Sequence, residues 1–231
     1  MFRYGSNGCG PRPESYKEDL EIAESAHLHT REDQEELYQH IRAGAESGWD
    51  FSARWIINNN GGYNGGLENI RTKLIVPVDL NSIMYMNYSL LSEFLATLDR
   101  AAESAEMRLK ADLLQEAVMH VMFEPKSGTW RDYDLLNKMQ RPFYFASNLF
   151  PLWTDCYPVE RREELGTRAA EYLDNHDAVR PGGLITSTIR SGLQVSFRYS
   201  RTTIISDTTE ITRILGFVYS EVQTLILECN F

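Results

Sequence analysis

The 231-residue chain reads as an all-α body followed by a tail of different character. Three observations carry that reading. Apolar residues recur at helical spacing through most of the first 190 positions. Loops rich in glycine, asparagine and proline separate those stretches. No strand-like alternation of comparable length appears before residue 195.

The elements follow in order. Thr30-Arg31-Glu32-Asp33 opens a helix in capping-box style, with Asp33 where Glu or Gln is usual. Leu37, Ile41 and Ala45 then share one face, and the helix should end near Ser47-Gly48. Residues 58–66 (NNNGGYNGG) form a long loop, because Gly and Asn accept positive φ. Leu74 to Val78 is apolar but interrupted by Pro77, hence extended. From Leu80 to Leu98 the spacing predicts a helix with Leu80, Met84, Asn87, Leu91, Phe94, Leu95 and Leu98 on or near one broad face. A further helix spans about Glu106 to Phe123 and stops before Pro125. Phe145 to Trp153 is mostly apolar. Glu160 to Leu173 is helical, with Leu165, Ala169 and Leu173 at i+4 spacing, and Pro181-Gly182-Gly183 breaks it. From Val195 the chain becomes rich in β-branched and aromatic residues, and 211–226 has amphipathic helical spacing.

Composition narrows the function. Hydrophobic residues make up 42% and charged residues 24%, as in an ordinary globular protein with a sizeable core. No apolar run approaches the roughly 20 residues of a membrane helix. The net charge of −10 argues against a broad nucleic-acid or anionic-membrane footprint. Cys9, Cys156 and Cys229 are far apart, so neither a zinc knuckle nor a disulfide scaffold is expected. The first residues lack the apolar stretch of a signal peptide, so the protein is intracellular or the sequence begins inside a longer one. Its location is left open. Asn87-Tyr88-Ser89 is a glycosylation sequon inside a helical pattern.

Three clusters could carry chemistry. The densest is Ala45 to Trp55 (AESGWDFSARW), in which Trp49 and Phe51 flank Asp50 just past a helix end. A carboxyl group against aromatic faces is poorly hydrated, which favours its protonated form, as a general acid requires. Aromatic faces also stack on sugar rings. The plainer reading makes Trp49, Phe51 and Trp55 core residues and Asp50–Arg54 a structural ion pair. In the second cluster, Arg12-Pro13-Glu14, a rigid proline holds an arginine and a glutamate that could bond vicinal hydroxyls; the default is a surface salt bridge ahead of a helix. In the third, Pro77-Val78-Asp79-Leu80-Asn81, Asp79 or Asn81 by default caps the helix that follows. His27, His29, His40, His120 and His176 form no metal-binding spacing and read as solvated or hydrogen-bonded. No nucleophile elbow, P-loop or dinucleotide fingerprint is present.

Taken together, GPRPESYKED (10–19), AESGWDFSARW (45–55), IVPVDLNSIMY (75–85) and PGGLITS (181–187) resemble, in order, successive blocks of the α,α-trehalases. The resemblance spans about residues 10 to 194. It implies an (α/α)6 toroid, here incomplete, with a sugar site at one end. It also implies hydrolysis of trehalose to two glucoses by inversion, using one carboxylic acid and one carboxylate base. Asp50 matches the family's general acid. Arg12, Pro13 and Glu14 match its substrate-contacting Arg-Pro-Glu, and Gly48 lines its glucose site. The resemblance implies a disaccharide as partner, with no cofactor, metal or nucleic acid. The chain departs from the family in three places. The N-terminal third with its first signature is missing. The glutamine-tryptophan-aspartate block is replaced after Gln194 by Val195-Ser196-Phe197. Glu210, Glu221 and Glu228 lack the context of the family's base. Residues 1–194 then form a partial catalytic domain and 195–231 a divergent tail. Three readings stay open: a trehalase chain inactive alone, a non-catalytic sugar-binding or regulatory isoform, and a splice or gene-model product without function.

Overall fold

The computed structural model describes residues 1–58, 60–180 and 183–193. The tail from Gln194, with its apolar spacing, and the Pro181-Gly182 pair therefore lie outside the described residues. Among the described residues six α-helices dominate: α1 Tyr16–Ser25, α2 Arg31–Glu46, α3 Val78–Thr97, α4 Ala101–Val121, the single turn α5 Phe150–Trp153, and α6 Arg162–Asn175. Thr30 caps α2 as its spacing predicts. Its hydroxyl accepts from the Asp33 amide at 3.1 Å and donates to the Asp33 carboxylate at 2.6 Å. Leu37 and Ile41 of α2 are buried against Trp49, Phe51 and Trp55 in the central core. On α6, Leu165, Ala169 and Leu173 are buried, matching their i+4 spacing. That helix ends at Asn175, well before Pro181, where Asp177 turns the chain at φ +47°.

The helices α3 and α4 form a hairpin joined by Leu98–Arg100. Ser92 and Ser104 stitch it, each hydroxyl donating to the other's carbonyl at 3.0 and 2.8 Å. The broad face expected for α3 is only half covered. Beyond Tyr85 the only buried residue of α3 is Ser92, while Leu91, Phe94 and Leu98 stand 46, 60 and 65% exposed. Helical spacing shows that residues share a face; it does not show how far a neighbouring element reaches along it.

The start of α3 differs from the capping expectation. Pro77 occupies the cap position, so Asp79 and Asn81 fall inside the first turns. The free Val78 amide is satisfied from a distance, by Asp132 Oδ1 at 2.9 Å. Asn81 instead ties the N-terminal segment, bonding both the amide and the carbonyl of Phe2.

Seven two-residue strands complete the body. β1 Ile75–Val76 pairs antiparallel with β4 Tyr133–Asp134, and β4 with β5 Met139–Gln140. β2 Phe123–Glu124 pairs with β3 Thr129–Trp130, and β6 Val179–Arg180 with β7 Gly183–Leu184. Segments this short carry no period-2 signature, which needs four or more residues to register. Their placement matters, because β1–β4 pairing carries Asp132 and Asp134 to the start of α3.

His40, buried on α2, gives the fold an acid-sensitive point. Its Nδ1 accepts from the Lys73 amide at 3.1 Å, and Nε2 lies 3.7 Å from Glu36. Burial, with the charges of Arg71 and Lys73, lowers its pKa to about 3. The unfolded chain therefore takes up a proton near pH 6.5 that the folded chain refuses until about pH 3, so stability falls as pH drops through that window. Between pH 7 and 5 the loss from this group should be about 2 kcal/mol. Urea midpoints at the two pH values check it. A His40→Gln variant with the same pH dependence as the parent would remove His40 as the cause.

Candidate active site

The turn from Ser47 to Ile56 is built by local hydrogen bonds. Gly48 leaves α2 at φ +71°, a conformation that costs a residue with a Cβ, and its amide bonds Ala45 O at 3.2 Å. Ser47 Oγ donates to Gly44 O and accepts from the Trp49 amide at 3.0 Å. The Ser52 amide bonds Trp49 O at 2.7 Å, and Ser52 Oγ accepts from the Arg54 amide. Trp55 Nε1 closes the loop on Trp49 O at 3.2 Å. Gly44 leaves room for this turn: a Cβ there would sit 3.1 Å from the Phe51 ring. Asp50 is thus presented half-buried between the buried Trp49 and Phe51, and the Asp50–Phe51 peptide is cis.

Arg54 does not pair with Asp50, contrary to the plainer expectation. It is fully buried and forks between two carboxylates. Nη1 and Nη2 donate to Asp79 at 2.6 and 2.7 Å, and Nε and Nη2 to Asp132 at 2.6 and 2.7 Å. Its Cζ lies over the Trp49 ring at 5.0 Å from the centroid and over the Trp55 ring at 4.7 Å. Burial disfavours the guanidinium charge, yet Asp132 and Asp79 outweigh it and raise the pKa. The same carboxylates, after burial itself, push the Tyr4 phenol up to about 12. Asp79 and Asp132 are therefore committed to Arg54 and to the start of α3. Arg141, also buried, donates to Ile56 O at 2.9 Å at the far end of the turn.

Arg12 likewise does not pair with Glu14. Its Nε and Nη2 reach Asp19 of α1 at 3.1 and 2.8 Å, while Pro13 and Glu14 are exposed in the 3-10 turn Pro13–Ser15. The Arg12 guanidinium lies over Phe51 at 5.0 Å. Burial works against its charge, but Asp19, then Glu14 and Asp50, raise its pKa. The structure therefore brings Arg12, Glu14 and Asp50 into one electrostatic neighbourhood, with Gly48 two residues from Asp50. Nothing in the sequence spacing links Asp19 to Arg12 or Asp132 to Arg54; Asp132, with Asp79, reads from the sequence only as a possible neighbour of the site.

Among the described residues no group of three or more His, Cys, Asp or Glu could hold a metal ion, and no helix is long and apolar enough to cross a membrane. Cys9 and Cys156 are free thiols, and burial pushes Cys156 up to about 12.

Comparison with known proteins names the family of this mostly helical chain. The trehalase family model matches residues 1–200. Honeybee (Apis mellifera) trehalase is 39% identical over 195 residues, covering 84% of this chain and 31% of that protein. Human trehalase is 37% identical over 199 residues, covering 85 and 33%. The periplasmic trehalase of Salmonella newport is 35% identical over 194, covering 84 and 32%. The neutral trehalase Nth1 of Saccharomyces cerevisiae superposes with a TM-score of 0.60 at 23% identity, over 83% of this chain and 36% of that one. The chain belongs to the trehalase family, its mostly helical fold is consistent with part of an (α/α)6 toroid, and it spans about a third of the length of these relatives.

Proposed function

We propose that this chain carries the acid-bearing part of an inverting trehalase site: Asp50 protonates the glycosidic oxygen, Arg12 and Glu14 hold sugar hydroxyls, and the Gly48 turn borders a glucose. One observation supports this most: Arg12 is packed on Phe51, the residue next to Asp50, so the arginine and the acid share one corner. Inversion needs a second carboxylate about 6.5–9.5 Å from the first, with water between it and the anomeric carbon. Among the described residues the nearby buried carboxylates are otherwise engaged: Asp19 by Arg12, and Asp79 and Asp132 by Arg54. Glu14 is assigned to substrate. The chain alone then binds trehalose without turning it over.

Calorimetry with trehalose and glucose release from trehalose test this together. The expected result is weak binding, weakened further by Arg12→Ala, and no turnover. Turnover of about 1 s⁻¹ or more that vanishes in Asp50→Asn would show a base acting within this chain. Absence of any trehalose binding by the folded chain would overturn the sugar site itself.

A further inference from the structure

We infer that Asp19 is a positioning residue for the sugar site, aiming Arg12 through a three-bond clamp; this rests on the proposed role of Arg12. Asp19 lies in α1, fully buried. Its carboxylate accepts three hydrogen bonds from a single residue: the Arg12 amide at 2.9 Å, Nε at 3.1 Å and Nη2 at 2.8 Å. Main chain and side chain of Arg12 are thus held by the same two oxygens. Pro13 restricts Arg12 further, to the extended φ −66°, ψ 134° that a residue before proline favours. Phe51 supports the guanidinium from below.

The clamp uses only one edge of the guanidinium. Nε and one Nη2 hydrogen go to Asp19, which leaves the two Nη1 hydrogens and the other Nη2 hydrogen as donors. The guanidinium that carries them lies over Phe51, the residue next to Asp50. Ordering a long arginine before the sugar arrives removes that entropic cost from binding. The clamp also reaches across elements, since Asp19 belongs to α1 whereas Phe51 belongs to the turn after α2. A tie that served only to fasten the N-terminal segment would need neither the bidentate edge nor the aromatic support.

A double-mutant cycle on trehalose binding by the full chain separates the two roles. Asp19→Asn keeps shape but sets an amide N–H₂ against the guanidinium donors. It should weaken trehalose binding about tenfold or more in the parent, through loss of a charge-assisted fork. In an Arg12→Ala background the same change should alter binding by less than about twofold, because its effect passes through Arg12. Equal weakening in both backgrounds, or none in the parent, would overturn the positioning role. If Arg12→Ala itself leaves binding unchanged, the failure is in the sugar-contact reading of Arg12 instead. Asp19→Glu covers the case in which Asp19→Asn fails to fold. It keeps the charge, displaces the oxygens by one methylene, and should weaken binding only where Arg12 is present; parental affinity in a folded Asp19→Glu chain would also overturn the inference.

Discussion

Arg54→Met should lower the unfolding free energy by about 3–5 kcal/mol, the usual cost of removing one partner from a buried ion pair. Against a typical total of about 5–15 kcal/mol, that is a large share of the stability of a domain. Four hydrogen bonds disappear at once, and Asp79 and Asp132 are left facing each other. Both also accept main-chain donors, Asp79 from the Leu80 amide and Asp132 from the Val78 amide, so the carboxylates cannot simply swing out to water without uncapping α3. The flat face between Trp49 and Trp55 would be refilled by a flexible apolar chain, which restores some packing but no charge. Arg54→Lys should fall between parent and Arg54→Met, since a point ammonium cannot fork to two carboxylates. Urea unfolding followed by tryptophan fluorescence reads the effect. A loss below about 1 kcal/mol for Arg54→Met would mean that the network is solvated rather than buried.

The second large effect concerns Asp50. With residues 10–194 grafted into a complete relative such as the honeybee enzyme, Asp50→Asn should lower trehalose hydrolysis by about 10²–10⁴-fold, the range for a positioned general acid. Asparagine keeps the shape of the turn, whose hydrogen bonds are made by Ser47, Trp49, Ser52 and Trp55 and not by the Asp50 side chain. The loss should therefore fall on the catalytic rate and leave the folding midpoint nearly unchanged. Hydrolysis within a few-fold of the unmutated graft would assign the acid to another residue.

Much of the scaffold is legible from local rules. The Thr30–Asp33 start and the Ser47-Gly48 stop of α2 follow from capping and from the turn that glycine permits. Leu165, Ala169 and Leu173 on α6 follow from a 3.6-residue period. The motif blocks around Arg12 and Asp50 also point to one site by resemblance, and the fold lays Arg12 over Phe51, the residue next to Asp50. Where local rules were applied to partners, they chose the nearest opposite charge, Glu14 for Arg12 and Asp50 for Arg54, and these were not the residues used.

The sequence by itself determined the helical class, the positions of α2, α3, α4 and α6, the end of α2 at Ser47-Gly48 and the family to which the chain belongs, because each depends on residues within a few positions of one another or on whole motif blocks. Only the tertiary structure decided that Asp19 holds Arg12, that Asp79 and Asp132 share Arg54, that Asp132 caps α3 in place of Asp79 or Asn81, and that the outer half of α3 stays uncovered. Asp132 lies 78 residues from Arg54, and such a pairing leaves no periodicity to read. A buried guanidinium requires compensating charge, and the choice among carboxylates falls to whichever the packed backbone brings within about 3 Å with its oxygens facing the fork.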